Sequence, residues 1–366
     1  MIPFVRYRFA HATTEFMTKL FITGGAGFIG SAFIRLALEQ IPKCYVTNFD
    51  ALTYAGNPDN LQGLDESRHR FVHGDITDKA AVINALGEDT HAVINFAAES
   101  HVDRSIHSAD EFLRTNILGT QVLLDVARER GVNRFVQVST DEVMGSLPED
   151  ETAFFTEDSP FAPNSPYAAS KAAAEHCVRA ARHTFGLDTV ITRCGNNYGP
   201  RQFPEKLIPL LISNALRDEP VPVYGDGRNV RDWIYVDDHC RAILLALTHG
   251  RAGATYNIGA RNERRNIDVV ESVLAHLGKP ASLIHYVKDR LGHDRRYAID
   301  ARLAEEELGW RPQETWESGI EKTIRWYAEN PAWIERARSG AYRDFYAQNY
   351  NMSAGDAGNN KTGDEA

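Results

Sequence analysis

The stretch that decides the fold is Thr-Gly-Gly-Ala-Gly-Phe-Ile-Gly at residues 23–30, which follows an apolar run at 19–23. Its glycines at 24, 27 and 30 place small residues where a strand turns, where backbone approaches a pyrophosphate, and where a helix packs on the strand. A helix starting near Ser31 would offer its free N–H groups to phosphates. A glycine triplet also fits a tight turn, but its place between strand and helix favours a dinucleotide site.

The chain before residue 195 alternates short apolar runs with helix-length amphipathic segments. The run Val93-Ile94-Asn95-Phe96 is typical of a strand covered on both faces. This alternation predicts an α/β fold with a Rossmann-type, doubly wound parallel sheet. The predicted strands are 19–23, 45–50, 70–73, 92–97, 134–139 and 189–193. One predicted helix, 109–130, carries a recurring apolar stripe of Leu113, Ile117, Val122 and Val126.

After residue 195 the pattern is mixed, and we interpret this part as a smaller C-terminal α+β substrate lobe over the carboxyl ends of the parallel strands. The predicted elements are helix 204–217, strands 221–224 and 230–236, and helix 238–247. Asn266 or Asp268 would cap a further helix running to Leu277. The expected divisions are an N-terminal extension at 1–17, an NAD-binding Rossmann domain at 18–200, a substrate lobe at 201–350 and a disordered tail at 353–366. Met17 is an alternative translation start to Met1, and some segments after residue 200 are expected to return to the Rossmann domain.

Composition excludes several classes of protein. The net charge of −10 argues against a nucleic-acid partner, because binding needs basic groups to neutralise phosphates. No apolar run approaches the roughly 20 residues of a membrane span. Cys44, Cys177, Cys194 and Cys240 form no CxxC pair and no metal-like spacing, so we expect no metal. Scattered thiols of this kind favour a reducing compartment, the cytoplasm.

An acidic residue at the end of the second predicted strand indicates which dinucleotide is bound. Asp50 lies 20 residues beyond Gly30, where a carboxylate bonds the adenosine ribose hydroxyls. Segment 51–67 contains no lysine or arginine to pair with a 2′-phosphate, so NAD is favoured over NADP. Asp75 and Ile76, after the third strand, could flank the adenine, although Asp75 fits a plain loop start equally well.

A tyrosine and a lysine lie one helical turn apart in Tyr167-Ala168-Ala169-Ser170-Lys171. A nearby cation stabilises a phenolate, so we expect Lys171 to lower the pKa of Tyr167 and make it a base for alcohol oxidation. This spacing arises readily by chance, but the helix follows the fifth strand, beside Thr140, which can bond the same substrate hydroxyl. The set predicts hydride transfer from an alcohol to NAD.

Two carboxyls extend that chemistry. Asp141 and Glu142 follow Thr140 at the carboxyl end of the fifth strand, where open α/β sheets bind ligands. Their environments can hold one as an acid and one as a base. Oxidation at C4 of a hexose makes the C5 proton acidic, so a carboxylate could remove it while a carboxylic acid protonates the departing C6 hydroxyl. Such a pair is more often a solvated loop start, but its neighbours favour catalysis.

Together these motifs resemble the extended short-chain dehydrogenases/reductases of the NAD-dependent epimerase/dehydratase family, in particular the dTDP-glucose 4,6-dehydratases, over about residues 19–350. STDEV and FPEKLIP are the most specific motifs, because related epimerases and decarboxylases lack this acid pair in that context. The family usually has a tyrosine after STDEV, and this chain has Met144. The motifs that carry the resemblance are TGGAGFIG (23–30), DALTYAGN (50–57), AAESHVDRSI (97–106), STDEV (139–143), PYAASKAA (166–173), CGNNYGPRQFPEKLIP (194–209), VYGDGRNVRDWIYVDDH (223–239) and DRLGHDRRYAID (289–300).

The resemblance implies a role for each candidate. Tyr167 would be the base at C4, Lys171 its partner, Thr140 the hydroxyl contact, Asp141 the acid at C6 and Glu142 the base at C5. The implied NAD contacts are Gly24, Gly27, Phe28, Ile29, Gly30, Asp50, Ala51, Leu52, Thr53, Asp75, Ile76, Ala97, Ala98, Glu99, Thr115, Tyr167, Lys171 and Asn197. The implied substrate contacts are Ser100, His101, Thr140, Asn196, Lys206, Leu207, Pro222, Val223, Tyr224, Arg231, Asn266, Asp289, Arg290, His293 and Tyr297. Arg231 suits a diphosphate, since guanidinium forks match phosphate oxygens; alone it could equally be a surface salt bridge.

The implied reaction is that of a lyase: dTDP-glucose loses water to give the 4-keto-6-deoxy sugar, and NAD stays bound and returns to C6 the hydride taken from C4. A homodimer packed through helices 109–130 and 166–185 is implied as well. A UDP- or CDP-glucose dehydratase remains open, because uracil and thymine differ by one methyl group worth roughly 1–3 kcal/mol. The acid pair argues against an epimerase, and a non-catalytic NAD sensor would be expected to lose Tyr167, Lys171 or that pair.

Overall fold

The computed structural model describes residues 17–149 and 152–338; the remaining parts of the expected N-terminal extension, lobe and tail lie outside them. The strands in the described residues are β1 (Thr18–Thr23), β2 (Cys44–Asp50), β3 (His69–His73), β4 (Ala92–Asn95), β5 (Arg134–Thr140), β6 (Thr189–Cys194), β7 (Asn196–Tyr198), β8 (Val221–Tyr224), β9 (Val230–Tyr235), β10 (Thr255–Ile258), β11 (Glu263–Arg265) and β12 (Ile284–Val287).

The helices of the same residues are α1 (Phe28–Gln40), α2 (Lys79–Ala85), α3 (Val102–His107), α4 (Asp110–Phe112), α5 (Thr120–Glu129), α6 (Pro166–Phe185), α7 (Leu207–Ala215), α8 (Val236–His249), α9 (Asn266–His276), α10 (Arg302–Leu308), α11 (Trp316–Glu329) and α12 (Pro331–Ala337). A π-helical segment, Leu113–Gly119, joins α4 to α5 in one continuous helix. Short 3-10 turns lie at Pro58–Leu61, Asp141–Met144 and Ala281–Leu283.

The large sheet has seven parallel strands in the order β3-β2-β1-β4-β5-β6-β10. Helices α1 and α8 bury apolar residues on one face, and α2, α5 and α6 cover the other. The predicted doubly wound sheet is therefore confirmed. Its strand order reverses between β1 and β4, and this topology opens a crevice at their carboxyl ends.

The lobe beside these carboxyl ends contains two small sheets, β11-β9-β7 and β12-β8. An apolar core of residues from α7, α9, α11 and α12 holds them together; it includes Trp233, Trp316 and Trp333. Not every later element belongs to the lobe, because β10 extends the large sheet and α8 packs against it. The lobe therefore has its own core, but the chain after residue 195 also contributes β10 and α8 to the large sheet and its helical layer.

Several local predictions were wrong. The helix after the glycine motif begins at Phe28, three residues before Ser31. The predicted cap of α9 is wrong as well: Arg265 occupies the cap position, and its guanidinium binds Asp268. The predicted apolar stripe is wrong at Leu113, which is 43% exposed and is the first residue of the π-helical segment.

The strand predicted at 92–97 ends at Asn95, and the helix predicted from 204 begins at Leu207. Both differences release residues into loops that border the crevice. No helix of residues 17–149 or 152–338 is long and apolar enough to cross a membrane.

Candidate active site

One cleft runs along the carboxyl ends of β1, β2, β4, β5 and β6 and continues under the lobe. It brings together most of the residues predicted to bind cofactor or substrate. The predicted residues that line it are Gly24, Gly27, Phe28, Ile29, Gly30, Asp50, Ala51, Thr53, Asp75, Ile76, Ala97, Ala98, Glu99, Ser100, His101, Thr115, Thr140, Asp141, Glu142, Tyr167, Lys171, Asn196, Asn197, Lys206, Leu207, Pro222, Val223, Tyr224, Arg231, Asn266, Arg290 and His293.

Three predicted contact residues lie outside this lining and hold residues that belong to it. The backbone N–H of Leu52 donates to Asp50. Asp289 accepts from His293 Nδ1 at 2.6 Å, whereas burial and then the charges of Arg290 and Arg231 lower the pKa of His293. The ring of Tyr297 lies 4.3 Å from the guanidinium carbon of Arg231. These side chains support the cleft from behind.

The glycine motif forms a cradle that larger residues would fill. Gly24 has a φ of +69°, and a Cβ there would lie 2.6 Å from the backbone nitrogen of Ala97. A Cβ on Gly30 would lie 2.3 Å from the carbonyl oxygen of Gly24. Helix α1 begins after Gly27 without a side-chain cap, so its first N–H groups remain available to a ligand. The cradle and the helix dipole together fit a pyrophosphate.

Asp50 lies at the end of β2, inside the same cleft. Its two oxygens accept from the N–H groups of Ala26 and Leu52, each at 2.8 Å, and a carboxylate can accept further bonds. Burial raises its pKa, and those two bonds oppose the rise. Asp75 lines the cleft too, although its carboxylate also accepts from the backbone and hydroxyl of Thr77, as a loop-start acid does. Both interpretations of Asp75 are thus supported.

The catalytic tyrosine candidate lies in the first turn of α6. Ser165 caps that turn, and Tyr167 is buried with a hydrogen bond to Thr140. Burial, with Glu142 next in importance, raises the pKa of Tyr167 well above its ordinary value. Lys171 donates to the carbonyl of Val138 at 2.7 Å, and burial lowers its own pKa to about 8. The prediction that Lys171 lowers the pKa of Tyr167 is therefore wrong for the protein without bound ligands.

The two adjacent carboxyls occupy different environments. Asp141 is 2% exposed; its Oδ1 accepts from the Thr140 hydroxyl at 3.2 Å, and its Oδ2 has no hydrogen-bond partner among the described residues. Burial, and then the charge of Glu142, raise the pKa of Asp141 well above its ordinary value. An acid of this kind keeps its proton.

Glu142 is half-buried on the same 3-10 turn. Burial raises its pKa, but the positive charges of Arg290, Lys206 and Arg231 oppose the rise. Positive charges near a carboxyl favour its ionised form. The pair is therefore arranged as one acid and one base.

The same cations make the lobe side of the cleft positive. Arg231 is 3% exposed and donates to the carbonyls of Val230 and Asp294, so it is not a surface salt bridge. Arg290 lies 3.7 Å from Asp103, and Lys206 donates to the carbonyl of Ser100. Positive groups that converge in a cleft suit an anionic ligand such as a diphosphate.

Sequence reasoning missed two acidic residues of the cleft, although both lie inside motifs quoted above. Asp103 accepts from the hydroxyl of Tyr224 at 3.0 Å and thereby joins α3 to the lobe. Glu205 is buried 3.5 Å from His101 Nε2, and burial raises its pKa to about 7. Neither residue has a spacing that signals its burial. Only the packing of the lobe against α3 reveals them.

Met144 replaces the tyrosine usual in the family and lies behind the acid pair. It is buried beside Tyr297, and its Sδ accepts from Arg193 at 3.6 Å. Arg193 is itself paired with buried Glu175. Met144 therefore packs between the acid pair and the buried Arg193–Glu175 ion pair, and none of the proposed proton carriers is replaced.

Comparison with known proteins decides the family. The profile of the GDP-mannose 4,6 dehydratase family matches residues 21–323. The chain belongs to this family. It is 52% identical over 347 residues to the dTDP-glucose 4,6-dehydratase of Xanthomonas campestris pv. campestris strain B100, which spans 89% of this chain and 98% of that protein. It is 48% identical over 357 residues to the dTDP-glucose 4,6-dehydratase of Salmonella typhimurium, which spans 91% and 99%.

Solved structures agree with this family assignment. DesIV, a dTDP-glucose 4,6-dehydratase from Streptomyces venezuelae solved with NAD and TYD bound, is 50% identical and has a TM-score of 0.85, covering 87% of this chain and all of that one. The UDP-glucose 4-epimerase of Thermotoga maritima, solved with UDP-glucose, is 29% identical with a TM-score of 0.80, covering 86% and 100%. The fold is therefore shared with epimerases, whereas the higher identity is with a dehydratase.

Replacement of Asp141 by asparagine should stabilise the protein, and more so as the pH rises. A carboxyl whose pKa is raised on folding leaves the native state less stable once the pH exceeds the pKa of the unfolded chain, about 3.9. Asp141→Asn removes this loss. Its advantage over the wild type should grow between pH 4.5 and pH 7, by at most about 1.4 kcal/mol per pH unit, in urea unfolding followed by circular dichroism.

Asp65→Asn is the control with the opposite sign. Hydrogen bonds from Ser67 and then Arg68 lower the pKa of exposed Asp65 to about 2, so its contribution to stability is lost as the pH falls. That variant should gain nothing at pH 7. An Asp141→Asn advantage that is constant with pH would show that Asp141 titrates normally.

Proposed function

We propose that the chain is an NAD-dependent dTDP-glucose 4,6-dehydratase, which converts dTDP-glucose to dTDP-4-keto-6-deoxyglucose and water. The observation that carries the proposal is the pair Asp141 and Glu142, which lie in the cleft near Tyr167. Burial and the charge of Glu142 raise the pKa of Asp141 well above its ordinary value, whereas three cations oppose the rise of the pKa at Glu142. An epimerase needs no such pair, because it eliminates no water. The relatives above, which carry this activity in their names, support the same conclusion.

NAD is the cofactor of the proposed reaction, as it is bound in the solved dehydratase relatives. When bound, it accepts a hydride from C4 and returns one to C6, and its oxidised ring carries a positive charge. The glycine cradle of Gly24, Gly27 and Gly30 would hold its pyrophosphate, and Asp50 would accept from its ribose hydroxyls.

Tyr167 would take the proton from the C4 hydroxyl, which Thr140 would also contact. Burial and the nearby carboxyls keep the phenol protonated in the chain alone. A positive charge beside the phenol would offset both effects; Lys171 is already present in the chain alone, so the additional charge would come from the oxidised ring of the bound cofactor. Oxidation would thus depend on a complete site.

Elimination would follow at the acid pair. Glu142 takes the C5 proton, which the C4 carbonyl has made acidic, while Asp141 protonates the C6 hydroxyl as it leaves as water. A proton then returns to C5 as the hydride returns to C6, so the atoms of the sugar balance with loss of one water. Arg231, Arg290 and Lys206 would hold the diphosphate.

Incubation with dTDP-glucose and with UDP-glucose, in separate reactions, tests this function. We expect the 4-keto-6-deoxy product, measured by NMR, from dTDP-glucose, with a kcat/KM about 10- to 200-fold above that for UDP-glucose, the range that one methyl group provides. Absence of the keto product, or a preference for UDP-glucose, would overturn the assignment.

Two conservative variants separate the carboxyl roles. Glu142→Gln should still reduce NAD in the presence of dTDP-glucose, seen as nicotinamide absorbance, but should lose water elimination by about 10²- to 10⁴-fold. In deuterated water, Asp141→Asn should still exchange the C5 proton, because Glu142 remains, whereas Glu142→Gln should not. Exposed Glu88→Gln is the control and should behave as the wild type. Normal turnover of Glu142→Gln would contradict the proposed base.

We also propose that the protein is a homodimer packed through the helices of 109–130 and 166–185. These helices expose Leu113, Leu118 (56%) and Phe185 (52%), which a second copy would cover. Leu118→Arg should raise the dimer dissociation constant at least about tenfold, because a charge would enter the interface. Sedimentation velocity measures this, with exposed Leu216→Arg as the control. An unchanged mass of Leu118→Arg would refute this interface.

The proposed location is the cytoplasm. All four cysteines lie within the described residues and all are free thiols, three of them buried. Free thiols persist in a reducing compartment. Cell fractionation tests this, and recovery of the activity from an oxidising compartment would contradict it.

A further inference from the structure

The segment 289–297 both lines the cleft and anchors its cations from behind. Arg290 and His293 line the cleft, whereas the next residue, Asp294, is buried behind them. The carbonyl of Asp294 accepts from Arg231 Nη2 at 2.8 Å and from Asn229 Nδ2 at 3.1 Å. The backbone at Asp294 therefore fixes the guanidinium of Arg231.

The carboxylate of Asp294 joins two other parts of the site. Its Oδ2 accepts from the hydroxyl of Tyr297, whose ring packs on Arg231. Its Oδ1 accepts from Asn164 Nδ2 at 2.6 Å. The amide nitrogen of Asn164 is therefore the donor of this bond and the Asp294 carboxyl oxygen is its acceptor. The Asp294 side chain thus receives one donor from its own segment and one from the residue before the cap of α6.

Asn164 immediately precedes the helix that carries the catalytic candidates. Ser165 caps α6 by accepting from the N–H of Ala168 at 3.1 Å, and Pro166 restricts the backbone of the first turn, where Tyr167 lies. A shift of Asn164 would therefore move the phenol of Tyr167.

A second contact joins the same two segments independently of the side chains. Gly292 has a φ of +63°, and a Cβ there would lie 2.9 Å from the carbonyl oxygen of Asn164. The two backbones are thus packed too closely for any other residue at position 292. Segment 289–297 and the start of α6 are in contact at two points.

We propose that Asp294 is a positioning residue that ties the diphosphate-binding segment to the first turn of α6, and so places Tyr167 when the nucleotide sugar is bound. The inference rests on the proposed function. Arg231 and Arg290 hold the substrate at its diphosphate, and the Asp294–Asn164 bond fixes the distance from that anchor to the base at C4. A misplacement of about 1 Å costs about 10²-fold in rate.

An exchange of the two side chains tests the link. Asn164→Asp places two carboxylates against each other and should lower kcat for dTDP-glucose about 10- to 100-fold. Asp294→Asn should cost less than about tenfold, since both amides can turn to restore a bond. The double variant, with the donor and acceptor exchanged, should recover about tenfold or more over Asn164→Asp.

Asp226→Asn is the matched control. The carboxylate of Asp226 accepts from both terminal nitrogens of Arg295, on the same segment, but it is exposed and belongs to the turn after β8. In the described residues the Asp226 side chain has no hydrogen bond to α6, and its variant should keep the wild-type kcat.

The measurements are kcat and KM, dTDP affinity by calorimetry, and thermal unfolding. If Asp294 is a positioning residue, kcat falls even when it is measured well below the unfolding temperature of the variants. The Kd for dTDP then changes by less than about threefold, the size of one exposed hydrogen bond. A merely structural bond lowers the unfolding temperature and leaves kcat unchanged, which would overturn the inference. So would a double variant without recovery.

Two further outcomes are distinguishable. If Asn164→Asp does not fold, Asn164→Ala removes the donor without adding charge and should still lower kcat; a wild-type kcat there overturns the link. If the wild type gives no keto product, the proposed function fails and the inference falls with it. If the wild type is active and the Asn164 variants are normal, only the link fails.

Discussion

The burial of Asp141 beside Glu142 is the constraint on which the rest of the site depends. A carboxyl that is removed from water and placed next to a like charge keeps its proton, so Asp141 can act as an acid. If Glu142 were in the same environment, both carboxyls would keep their protons and the site would have no base. The environment of Glu142 differs, because three cations from the lobe oppose the rise of its pKa. Opposite roles therefore follow from position.

This constraint explains why two separate cores meet at the cleft. The 3-10 turn of Asp141–Met144 continues from β5 of the large sheet, whereas Arg231 and Arg290 come from the lobe. Neither part makes an acid–base pair alone. Met144, the last residue of the turn, packs with Tyr297 and so belongs to the contact between the two parts.

The sequence predicted which residues form the site better than it predicted the pKa values of those residues. The glycine spacing, Asp50, the acid pair and Tyr167 were identified from pattern and place, because each lies at the end of a strand or the start of a helix whose neighbours are fixed by sheet topology. The pKa of Tyr167 was predicted with the wrong sign. A spacing of four residues says which side chains share a helix face, but desolvation depends on what the rest of the chain packs above them. Glu205 was missed for the same reason.

The central claim is that one carboxyl of the pair is protonated at neutral pH while the other is ionised. Infrared difference spectra between the wild type and each variant test it directly, since a protonated carboxyl has its own C=O band. At pH 7 the account predicts a C=O band that appears in the difference between the wild type and Asp141→Asn and is absent from the difference between the wild type and Glu142→Gln. The band of Glu205, whose pKa burial raises to about 7, is common to all three proteins and cancels. A band that survives in Asp141→Asn and disappears in Glu142→Gln would contradict the assignment of acid and base.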